Sequence, residues 1–139
     1  MNFELQITAS VNPDISAFIQ KGLEENARRN GIATSPPQEL VVCMHENGAL
    51  VGALEGHTSA GWMFIRGFYV DKQYQGIGTR ILKAAEQEAI GRGCREACVL
   101  TRTAQAFYEK NGYEKSGELP YPPGPMLKIC RKQLGNPQS

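Results

Sequence analysis

Apolar and polar residues alternate at the start of the chain. Phe3, Leu5, Ile7 and Ala9 share one side of residues 3–9, the period of a half-buried strand. The period then changes. Asn12 suits a helix cap and Pro13 a first helical turn. Beyond them Ile15, Phe18, Ile19 and Leu23 fall on one helical face. This predicts a helix to about Arg29, closed by Gly31, with a loop over 33–37. Strands are expected over 40–45, 49–57 and 62–70. Asn47-Gly48, a pair that tolerates the positive φ of a tight hairpin turn, joins the first two. Ser59-Ala60-Gly61 joins the last two.

Helical spacing returns at Ile77, Ile81, Ala85 and Ala89, with Leu82 beside them, and ends near Gly91-Arg92-Gly93. A short strand over 97–101 and a short helix over 103–110 follow, the helix stopped by Asn111-Gly112. Two more strands are expected up to Leu134, around Tyr121-Pro122-Pro123-Gly124-Pro125. The order predicts an α/β fold: a mixed, mainly antiparallel sheet flanked by helices, with a crossover around 71–95. We expect one domain over 1–139, with 135–139 as a disordered tail.

Composition narrows the function. The 139 residues carry a formal charge of +1, which makes no electrostatic case for nucleic acid or an anionic membrane surface. No apolar run is long enough to span a bilayer. The first residues lack the basic and apolar segments of a signal peptide, so a cytoplasmic location is expected. Cys43, Cys94, Cys98 and Cys130 lack the spacing of a zinc site. They read as reduced thiols, with Cys43 and Cys130 as small core residues; no metal is expected.

The sharpest chemical signal is Gln73-Tyr74-Gln75-Gly76-Ile77-Gly78-Thr79, between an apolar strand and a helix start. Free N–H groups and the positive end of the dipole make such a turn suited to pyrophosphate. A Walker loop would need Gly-Lys-Ser/Thr, which Gly78-Thr79-Arg80 does not supply. A dinucleotide fingerprint would need a third glycine, where Ile81 stands, and an acidic residue where Thr101 and Arg102 stand. A coenzyme A pyrophosphate site remains, beside a plain turn that uses glycine for geometry.

These residues resemble the GNAT superfamily of acetyl-CoA-dependent N-acetyltransferases. Gln73-Tyr74-Gln75-Gly76-Ile77-Gly78 is similar to that family's pyrophosphate motif. Ala104 to Tyr113 resembles its later segment of Ala, three residues, Tyr, Glu-Lys, one residue, Gly and an aromatic. The resemblance implies acetyl-CoA as co-substrate, held at the pyrophosphate by amides of Gln75, Gly76, Ile77, Gly78 and Thr79. It implies pairing of the pantetheine arm with backbone groups of Phe68, Tyr69 and Val70, and Tyr108 as general acid to the departing thiolate. Arg80 or Lys83 would meet the outer phosphates. Two departures stand out. The step from Val70 to Gln73 is about two residues short, so either Gln73-Tyr74 or Gln75-Gly76 opens the motif. Thr101 stands where many members carry Asn, and a hydroxyl keeps only part of an amide's pairing.

The resemblance does not supply the base. Where some relatives keep Glu, this chain has Arg66, and Glu55 and His57 on the preceding strand are the alternatives, with water. The first helix, the 30–37 loop and the Tyr121 turn are the expected acceptor-facing parts. A small-molecule or peptide amine is the expected acceptor, and a homodimer is compatible with the apolar tail. The competing expectation is a coenzyme-A-binding or regulatory module without catalysis.

Overall fold

A computed structural model of the protein describes residues 1–33 and 36–135. They belong to two units, Met1–Thr34 and Ser35–Ser139. Part of the expected 33–37 loop, and most of the expected tail, lie outside the described residues.

In the first unit, α1 runs from Pro13–Arg29. The Asn12 side chain accepts a hydrogen bond from the Asp14 N–H at 2.8 Å, satisfying one of the free donors of the first turn. Gly31 turns the chain out at φ 70°. The strand expected over 3–9 does not form. Its alternation is present, but no ladder includes it, and an extended segment without ladder hydrogen bonds is not a strand.

The second unit contains β1 (Gln38–Glu46), β2 (Ala49–Ser59), β3 (Trp62–Val70), α2 (Ile77–Gly91), β4 (Glu96–Thr101), α3 (Gln105–Lys110), β5 (Glu114–Leu119) and β6 (Leu127–Gln133). They form one six-stranded sheet in the order β1-β2-β3-β4-β6-β5. Only β3 and β4 pair in parallel, as the crossover through α2 requires. Asn47 and Gly48 take φ of 52° and 82°, the primed turn that their sequence predicted.

The α2 stripe of Ile81, Leu82, Ala85 and Ala89 is buried in a cluster with Leu40, Leu54, Met63 and Val99. Full burial of a leucine or isoleucine contributes roughly 1.5–3 kcal/mol, so this contact holds the helix to the sheet. Gly52 permits the close approach: a Cβ there would lie 2.7 Å from Ile81 Cδ1. Glu86 is the buried charge on the same helix. It accepts from the Tyr113 hydroxyl and from Lys132 Nζ, each at 2.9 Å, and so links α2 to β6 and the entry of β5. Burial, then the Glu86 carboxylate, push the Tyr113 phenol well above its ordinary value.

Cys130 is fully buried, as expected, whereas Cys43 is exposed. Leu40 is buried on β1 and Cys43, three positions on, falls on the other side of the pleat. An apolar run cannot reveal which of its sides is covered. No helix among the described residues is long and apolar enough to cross a membrane.

Candidate active site

The β3–β4 ladder is short. It runs from Trp62↔Glu96 to Ile65↔Val99 and stops. At that point β2 pairs Glu55 with Gly67 but Gly56 with Ile65, leaving Arg66 as the extra residue of a bulge, which bends and twists a strand. Gly56 makes room for it, because a Cβ there would collide with the Phe64 carbonyl oxygen. Beyond the bulge, Phe68, Tyr69 and Val70 still pair with β2 on one edge. Among the described residues, no strand pairs with the other edge.

A cleft of about 290 Å³ opens at this split. Phe68 and Val70 supply the β3 side, Tyr74, Gly76 and Gly78 the turn into α2, and Ala104, Phe107 and Tyr108 the side of α3. The turn is closed by a hydrogen bond from Tyr74 N–H to the Asp71 carbonyl at 3.0 Å. Gly76 caps α2 at φ 82° without any side-chain capping bond, and a Cβ on it would meet nothing within 4 Å. Among the described residues, no hydrogen bond is donated by the amides of Gln75, Gly76, Ile77, Gly78 or Thr79 outside the helix itself. The start of α2 therefore presents free donors and the positive end of a helix dipole to open space. Gly78 lies under the Phe107 ring, where a Cβ would sit 3.3 Å from Cε1.

Tyr108 is 4% exposed and packs edge-to-face with Phe107 and Tyr113, at centroid distances of 5.2 and 5.4 Å. Its hydroxyl makes none of the side-chain hydrogen bonds among the described residues, and none of their side-chain polar atoms is both buried and unpaired. The hydroxyl therefore reaches solvent, on the cleft that the residue lines. Loss of solvent around the ring, and secondarily Cys130, push the phenol up to about 12, so it keeps its proton at neutral pH.

The structure thus gathers Phe68, Val70, Gly76, Gly78 and Tyr108 into one cleft. Other expected residues are placed elsewhere. Tyr69 is exposed, one position out of phase with Phe68. Gln73 and Gln75 project to solvent. The Ile77 side chain points at Gly52 in the core. Thr101 Oγ1 accepts from the Ala104 N–H at 3.0 Å, shaping the turn into α3. Arg80 and Lys83 are exposed on α2. Tyr74, Ala104 and Phe107 were not expected as cleft residues. All three lie inside the two quoted motifs, which was the available signal.

The candidate bases lie on β2 near the bulge. Glu55 is exposed and its Oε1 lies 3.7 Å from where a Cβ on Gly67 would stand. His57 Nδ1 lies 3.2 Å from Arg66 Nη1, and Arg66 Nη2 donates to Glu39 Oε2 at 2.7 Å. That hydrogen bond holds the Glu39 carboxyl below its usual range and raises the guanidinium.

The described acetyltransferase (GNAT) family matches residues 14–113. A curated acetyltransferase of Agrobacterium fabrum is 34% identical over 123 residues, which cover 86% of this chain and 88% of that protein. A crystal structure of a candidate acetyltransferase from Agrobacterium tumefaciens superposes with a TM-score of 0.76 at 30% identity, covering 96% of this chain and all of that one. The PaiA N-acetyltransferase of Thermoplasma acidophilum, solved in complex with coenzyme A, shares the fold, with a TM-score of 0.61 at 18% identity over 89% of this chain and 80% of that one. A split parallel pair, a glycine cap with free amides and a tyrosine opposite them accompany a family match across most of the chain: the protein belongs to the GNAT family of acetyltransferases.

Proposed function

We propose that the protein transfers an acetyl group from acetyl-CoA to an amine by direct attack, with Tyr108 as general acid. The observation that carries this reading is that Gly76 and Gly78, within the run of free amides over 75–79, line one cleft with Tyr108. The amides would bind the pyrophosphate. The unpaired edge of Phe68, Tyr69 and Val70 would hold the pantetheine arm, and an N–H there would steady the oxyanion. The neutral amine attacks the thioester carbonyl and a C–N bond forms. The C–S bond then breaks, the sulfur takes the electron pair and Tyr108 gives it a proton. The nitrogen's extra proton leaves to Glu55, His57 or water. A lysine-like amine lies about three units above neutral pH, which costs about 4 kcal/mol unless the site offsets it.

Thermal shift tests the cofactor: acetyl-CoA at a hundred times its Kd stabilises by about 2.7 kcal/mol, while NAD and ATP leave the transition unmoved. Thiol release with a panel of amines tests the transfer. Binding of acetyl-CoA without release of thiol on any amine would favour a coenzyme-A-binding module.

A further inference from the structure

A second cavity, of about 350 Å³, lies at the last rung of the β3–β4 ladder. Its walls include His57, Phe64, Arg66, Cys98 and Leu100. Phe64 pairs with both His57 and Cys98, so the three share one face of the sheet. That face is the opposite of the one packed on α2, since the alternate residues Thr58, Met63 and Ala97 are buried beneath it. The cavity and the cleft therefore approach the same split from opposite sides.

We infer that Arg66 is a positioning residue that fixes His57 as its Nε2–H tautomer, so that this cavity offers an acceptor a hydrogen-bond donor and not a proton-accepting nitrogen. A guanidinium carries five donors and no acceptor. The nitrogen facing it, Nδ1 at 3.2 Å, must therefore be the accepting one, and the single proton of the neutral ring sits on Nε2. Arg66 is anchored at its other end on Glu39 of β1. The imidazole is stacked on Phe64, with centroids 5.1 Å apart and planes at 26°. Three strands thus hold one ring in one orientation.

Two consequences follow, both resting on the acyl-transfer reading. Proton removal from the amine falls to Glu55 or to water, since the basic lone pair of His57 is already engaged. The favoured acceptor carries an oxygen near its amine, as hydroxyl, carbonyl or carboxylate, to accept from Nε2–H.

Long-range ¹H–¹⁵N correlation spectra of the whole chain, with neutral histidines, test the assignment. The only other histidine, His45, is the internal reference, and His57→Gln identifies the signals. The expected result is an unprotonated Nδ1 in the wild type whose resonance moves in Arg66→Met while that of His45 does not. A proton on Nδ1, or an Nδ1 resonance indifferent to Arg66→Met, overturns the inference. These spectra involve no acetyl-CoA, so failure of the acyl-transfer reading would not disguise the answer.

Discussion

Tyr108 carries its proton at neutral pH, and its buried surroundings disfavour the phenolate that it would become on giving the proton up. Tyr108→Phe should lower kcat by about a hundredfold or more while acetyl-CoA binding, read by thermal shift, stays within a few-fold. The same environment ties stability to pH. Tyr108 is held neutral up to about 12, whereas an unfolded tyrosine ionises near 10. The folded-state pKa is raised, so the contribution is fully present below about pH 10 and is lost as pH rises through about 12. Urea melts at pH 9 and pH 11 should show a larger alkaline loss for the wild type than for Tyr108→Phe.

Among the elements, the start of α2 decides whether an anion can approach. Its two glycines have different physical causes, so their substitutions separate. Gly76→Ala puts a Cβ into open space but keeps a left-handed φ, a cost of about 1–2 kcal/mol that a lower Tm should reveal. Gly78→Ala is helical and gains propensity of up to about 1 kcal/mol, yet its Cβ presses on Phe107. It should weaken acetyl-CoA binding by about tenfold, measured by calorimetry, with little loss of Tm. If binding is unchanged in Gly78→Ala, the Phe107 wall is not part of the cofactor cleft. Both glycines belong to a motif legible in the sequence. The reason for the second one was not legible, because Phe107 lies 29 positions away and meets it only after folding.

Across the sheet-bearing unit, one buried carboxylate connects elements distant in sequence. Lys132→Met would leave Glu86 charged beneath Tyr113, without the Nζ contact at 2.9 Å. Removing one partner of a buried pair costs about 3 kcal/mol, which urea denaturation should register. Adding Glu86→Gln should recover part of that loss, since the amide oxygen still accepts from the Tyr113 hydroxyl and no charge remains. A double mutant as unstable as the sum of the singles would show that the pair is not coupled.

The sequence alone carried the meander, the crossover helix, the Asn47-Gly48 turn with its positive φ and the two motif segments, because each is written in local periodicity or in residues with special backbone freedom. It also contained Tyr108 at its motif position. Tertiary structure alone decided that the 3–9 alternation has no ladder, since strand pairing depends on a partner that alternation does not name. It alone decided that Cys43 is exposed, and that Arg66 occupies a bulge between Glu39 and His57. Those outcomes depend on which strand lies beside which and on which face is covered, and both are set by packing between residues far apart in the chain.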